Sequence, residues 1–123
     1  MIEGVVNSAR EAVLTLPVRG PSGQAQELDA VIDTGYDGFL TLPPSLVEEL
    51  GLPYRFRGRA VLANGSEETF NVHGVTVVWD GQPRDIEVDA VGREPLAGML
   101  LLDSHSLYVE VSDGGRVIVQ AME

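Results

Sequence analysis

Cysteine is absent from the 123 residues, which excludes a disulfide framework, a thiolate metal site and a thiol nucleophile together. Basic residues are few: eight against nineteen acids, for a formal net charge of −11. Phosphate contacts need clustered Lys and Arg. The one basic cluster, Arg55, Arg57 and Arg59, alternates with Phe56 and Gly58 as the solvated face of a strand does, so nucleic acid is not an expected partner. Long apolar runs are missing as well. Met1-Ile2-Glu3-Gly4 has neither a basic n-region nor an apolar h-region, and no later stretch reaches the length of a membrane span. The expectation is a soluble, cytoplasmic protein without a membrane partner. Histidine is confined to His73 and His105, with no His-Glu-x-x-His spacing and no nucleophile elbow around a serine; both read as surface or core-edge residues.

What is present is a chain 44% hydrophobic, with 14 glycines and 7 prolines scattered between short apolar runs. That pattern suits one all-β domain with many turns, spanning 1–123. Residues 12–18, AVLTLPV, the turn-rich Arg19-Gly20-Pro21-Ser22-Gly23 and the return over 24–32 read as a hairpin. Residues 42–51 read as a short helix, with prolines at its entry and Gly51 as its stop. Residues 59–72 form two β-compatible arms around Asn64-Gly65, a pair that tolerates the positive φ angles of a type I′ turn. A further hairpin turns at Asp80-Gly81-Gln82-Pro83, and in its second arm Ile86, Val88 and Ala90 alternate with Asp85, Glu87 and Asp89. Those acids read as the wet face of a strand, and no glycine-centred loop accompanies them to make a calcium site. Trp79 reads as a packing anchor. Residues 99–103 suit one or two helical turns, and 107–111 and 116–120 suit closing strands.

The stretch 30–40, AVIDTGYDGFL, carries the chemistry. An apolar run ends at Asp33, where an ionised carboxylate would be costly to bury without a partner. Gly35 permits a sharp or left-handed backbone that would bring the acid to an exposed turn tip. Taken alone, Asp33-Thr34-Gly35 also reads as an ordinary strand-terminating turn.

Preceded by Ala30-Val31-Ile32, and followed much later by Leu96-Ala97-Gly98, the triplet resembles the catalytic Asp-Thr-Gly of the retropepsin-like (clan AA, single-lobe) aspartic proteases, the homodimeric relatives of pepsin. The resemblance covers residues 12–119. It implies an all-β, retropepsin-like closed β-barrel or sandwich of hairpins with one or two short helices. It further implies an aspartic endopeptidase acting as a homodimer on a peptide or protein substrate, without cofactor or metal, with Asp33 of each subunit activating a water. Thr34 and Gly35 would support the active-site loop, the Thr34 hydroxyl bonding across the dyad. Tyr36, Asp37 and Gly38 would line the substrate groove, and Asn64 and Gly65 would tip a flap. Residues 117–119 would suit a strand of the dimer's interface sheet. Met99 stands where retroviral members place an arginine. Two alternatives carry different functions: a catalytically weak or inactive module kept for dimerisation or peptide binding, and a small-molecule-binding β-barrel in which Asp33 is a turn residue.

Overall fold

The computed structural model describes residues 1–123. Strand β1 (Ile2–Val6) pairs antiparallel with β2 (Ala12–Arg19), and β2 with β3 (Ala25–Ile32). In β2 the period-two alternation buries Leu14, Leu16 and Val18 and turns Thr15 and Arg19 outward. Each such fully buried Leu or Val contributes about 1.5–3 kcal/mol of transfer free energy. β3 buries Leu28 and Ala30 and ends at Ile32, so the chain leaves the sheet at Asp33.

Strand β4 (Leu40–Leu42) is buried at all three residues, as a short strand covered on both faces should be. It leads into α1 (Pro44–Glu49), where Pro44 sits in the first turn, Val47 packs on the core and Gly51 stops the helix at φ +61. This helix is shorter than the expected 42–51 because Leu42 is taken by a strand.

Strands β5 (Tyr54–Val61) and β6 (Glu67–Trp79) make one hairpin, and β6 with β7 (Gln82–Ala90) makes the next. The two-residue turn with positive φ at both positions is Asp80-Gly81 (φ 52 and 80), the condition for type I′. At the other hairpin only Gly65 has positive φ (83), which corrects the expected type I′ turn there. The Asn64 side chain accepts bonds from the Ser66 amide and hydroxyl, while the Gly65 amide donates to the Leu62 carbonyl and the Leu62 amide to the Ser66 carbonyl. Those bonds fix a three-residue loop closed by a left-handed glycine.

Strands β8 (Leu96–Ala97), β9 (His105–Val109) and β10 (Arg116–Ala121) complete one mixed ten-stranded sheet, ordered β5-β6-β7-β4-β8-β3-β2-β1-β10-β9. The architecture is of the expected all-β class. β8 lies parallel to β3 and antiparallel to β4, and β4 is parallel to β7. A further pairing, Val18↔Val77, joins β2 to β6, so the sheet folds back on itself around the buried core.

One expectation fails at the C-terminal end. Residues 99–103 form hydrogen-bonded turns rather than a helix: the Leu102 amide reaches the Gly98 carbonyl only at 3.4 Å, and Ser104 reverses the chain at φ +66. A single turn fixes several torsions for one weak bond and does not propagate. Residues 117–119 lie within β10, which is paired with β1 on one side and β9 on the other, with Val117 and Val119 buried. The sheet's edges are β5 and β9. On β9 the exposed Tyr108 lies under the Arg116 guanidinium, which grips Glu110 through two 2.9 Å bonds and holds its carboxyl down at about 2. No helix is long and apolar enough to cross a membrane.

Candidate active site

The residue that ends β3 is tied to a distant segment. The Val31 amide donates to the Pro95 carbonyl at 3.1 Å and the Asp33 amide to the Ala97 carbonyl at 2.9 Å. From there the loop turns on itself, with Asp33 Oδ1 accepting the Gly35 amide at 2.9 Å and the Asp33 carbonyl accepting the Tyr36 amide at 3.1 Å. The half-buried Asp33 carboxylate thus sits at a tip followed by the exposed Thr34 and Gly35, and it has no ion-pair partner. Thr34 makes no side-chain hydrogen bond within the chain. Of the sharp or left-handed backbone expected at Gly35, the structure shows the sharp turn without a positive φ. A methyl there would meet only Asp33 Oδ1, at 3.3 Å, so its glycine keeps the space beside the carboxylate open.

The second segment receives the rest of the loop. Gly98 donates to the Phe39 carbonyl (3.0 Å), Met99 to Tyr36 (2.8 Å) and Leu100 to Gly38 (3.1 Å). Close packing accompanies these bonds. A methyl on Gly38 would lie 2.3 Å from the Tyr36 hydroxyl, and one on Gly98 would lie 2.2 Å from the Gly38 carbonyl oxygen and 2.5 Å from Tyr36 Cδ2. Neither glycine has room for a side chain, because the Tyr36 ring and the loop backbone already fill it.

Tyr36 is therefore turned into the fold, and its hydroxyl donates to Asp89 Oδ2 at 2.6 Å. That length is typical of a hydroxyl on a charged carboxylate. Burial, then the bond to Asp89 and the charges of Asp89 and Asp37, push the Tyr36 phenol up. Asp89 is also pushed up, by burial first and by Asp37, with the Tyr36 bond pulling the other way. The wet-face reading holds for Asp85 and Glu87, which are exposed, but Asp89 is half-buried and engaged. Sequence parity gave no sign of this, since Asp89 shares its face with the other two. What singles it out is the parallel register Thr41↔Asp89 between β4 and β7, which carries it to the loop.

Around this centre the supports are conventional. The Thr41 hydroxyl accepts the Leu96 amide at 3.0 Å, and Arg84 lies over the Phe39 and Trp79 rings while donating to the Leu101 carbonyl. Trp79 is buried and donates its indole N–H to His105 Nε2 at 3.2 Å, and His105 Nδ1 faces the Asp103 carbonyl. His73 Nδ1 faces the Leu52 carbonyl. Both histidines are thus occupied in packing. No three His, Asp or Glu side chains converge as a metal site would require.

Asp33, Thr34, Gly35, Tyr36, Asp37 and Gly38 are brought into one loop, whereas Asn64 and Gly65 stand apart at an exposed hairpin tip with no hydrogen bond to it. Nothing lies within 4 Å of where a Gly65 side chain would begin. A cavity of about 520 Å³ lies between Arg19, Phe39, Arg55, Asp85 and Glu87, and Asp33 does not line it.

No family model matches the sequence, and no curated protein does. Among solved structures the chain is similar to EIAV protease complexed with the inhibitor HBY-793, at 17% identity and a TM-score of 0.57 over 75% of this chain and 85% of that one. It is likewise similar to a retropepsin-like aspartic protease from Rickettsia conorii, at 15% identity and a TM-score of 0.56 over 97% of this chain and 90% of that one. With an aspartate loop at the end of β3 locked onto the turn after β8, and backbone likeness over most of three chains, this protein has the retropepsin-like fold.

Proposed function

We propose that the chain is an aspartic endopeptidase that works as a soluble, cytoplasmic homodimer, with Asp33 of each copy forming the catalytic pair. The observation that carries this reading is a carboxylate held at the tip of a loop locked by backbone bonds to residues 97–100, on a retropepsin-like fold, with no ion-pair partner inside its own chain. A second copy across a two-fold axis would supply the missing acid. Two facing carboxylates share one proton. The ionised one takes a proton from a bridging water as the water attacks the peptide carbonyl, and the protonated one stabilises the oxygen that gains charge. The unbonded Thr34 hydroxyl is free to reach the partner's loop, and open space at Gly35 admits a substrate backbone. Asp37, exposed beside the tip, is placed to meet substrate amides, and the hairpin tip at Asn64-Gly65 serves as the flap. Neither metal nor cofactor takes part.

The test is Asp33→Asn with denatured casein as substrate. Asparagine Oδ1 can still accept the Gly35 amide, so the loop and fold persist while both proton-transfer roles vanish. Cleavage should fall by at least about 10²-fold. Wild-type activity in the purified variant would overturn the mechanism, and a folded wild type without activity would leave the dimerisation or peptide-binding module as the reading.

A further inference from the structure

The loop over 33–39 has many backbone ties to the segment 97–100 but a single side-chain hydrogen bond to another part of the sheet, the 2.6 Å bond from Tyr36 to Asp89 on β7, beside the Arg84 guanidinium over the Phe39 ring. That bond spans β4, which lies between β7 and β8 in the sheet. The ring that makes it is caged by Gly38 and Gly98, so its position is set by packing and its orientation by the hydroxyl. The same residue also donates its amide to the Asp33 carbonyl and accepts the Met99 amide at its own carbonyl. Any swing of the Tyr36 side chain is therefore transmitted through two backbone bonds, one to the residue that carries the carboxylate and one to the turn that seats it.

On the reading that Asp33 is catalytic, we propose that Tyr36 and Asp89 are positioning residues: a phenol–carboxylate clamp that fixes the Asp33 loop against β7 and so sets the direction of its carboxylate. Neither touches the reacting atoms. A catalytic group displaced by about 1 Å can lose about 10²-fold in rate, which gives so small a contact leverage on turnover.

Four variants test the clamp: Tyr36→Phe, Asp89→Ala, Asp89→Asn and the double Tyr36→Phe/Asp89→Ala. Phenylalanine keeps the ring between the glycines and removes only the donor, and asparagine keeps an acceptor for it. The first readout needs no activity. Amide hydrogen exchange at Met99 should accelerate at least about tenfold in Tyr36→Phe and Asp89→Ala, stay near wild type in Asp89→Asn, and be no faster in the double variant than in either single. Exchange at the core amides of Leu14 and Val88 serves as the fold control. The second readout is cleavage of a quenched-fluorescence peptide chosen from a random library: kcat should fall about 10- to 100-fold in the two clamp-breaking variants with KM within about twofold, and Asp89→Asn should restore it.

Unchanged Met99 exchange in Tyr36→Phe, or an Asp89→Asn variant as impaired as Asp89→Ala, would overturn the clamp. A wild type that cleaves no peptide would overturn the functional reading instead, and the exchange measurements would still decide whether the clamp holds the loop.

Discussion

The Asp33 amide and the Ala97 carbonyl lie 2.9 Å apart, so the residue that carries the candidate chemistry is seated by a strand drawn from the far end of the chain. The seat is tight as well as bonded. Gly98, the next residue, has the Gly38 carbonyl and the Tyr36 ring where a side chain would begin.

Gly98→Ala should therefore destabilise the protein by about 1–3 kcal/mol, the usual cost of overpacking a filled site, because the nearest obstruction is backbone. Chemical denaturation will measure the loss. A variant as stable as wild type would mean that the loop can retreat from Gly98 without cost.

Gly65→Val tests the proposed flap. The cost there is conformational alone, since Gly65 sits at φ 83 with open space around it. A β-branched residue pays about 1–3 kcal/mol in that region, charged to a hairpin tip whose opening is local. KM should rise or kcat fall while the global unfolding midpoint moves little. Unchanged kinetics would make the tip an ordinary surface turn.

The Tyr36 phenol predicts an alkaline limb of instability. Its folded-state value is raised above the ordinary 10.0, by burial first and then by Asp89 and Asp37. The native state then keeps a proton that the unfolded chain releases, so stability is full below about pH 10 and falls as pH rises beyond it. Between pH 8 and pH 11 wild type should lose more stability than Tyr36→Phe, the other tyrosines being common to both. Equal losses would contradict the assignment. Asp89 is shifted in the same direction, so its ionised form costs stability above the ordinary 3.8. Asp89→Asn should accordingly be at least as stable as wild type at pH 7.

Charge predicts the behaviour of the proposed dimer. Each chain carries −11, so a pair brings together twice that, or −22. Screening shortens from about 30 Å at 0.01 M salt to about 10 Å at 0.1 M, and long-range repulsion weakens with it. Sedimentation near the dissociation constant should show dimer gaining over that range, with peptide cleavage rising alongside. An active chain that stays monomeric throughout would overturn the two-aspartate reading.

The sequence by itself determined which faces of the strands are buried, because period-two alternation is local: Leu14, Leu16 and Val18 and, further on, Ile86 and Val88 are inside as their spacing requires. It located the turns at Asn64-Gly65 and Asp80-Gly81, though not the turn type at the first, and it put Asp33 at the end of an apolar strand. Tertiary structure decided the rest. Asp85 and Asp89 have the same parity and the same chemistry, yet only Asp89 lies opposite Thr41 and within reach of Tyr36. The pattern at 117–119 marks a strand but not its neighbours, and the tertiary structure pairs it with both β1 and β9. Which residue faces which across a sheet is set by pairings between strands far apart in the chain, and no local spacing encodes them, since alternation fixes a side chain's face but not its neighbour.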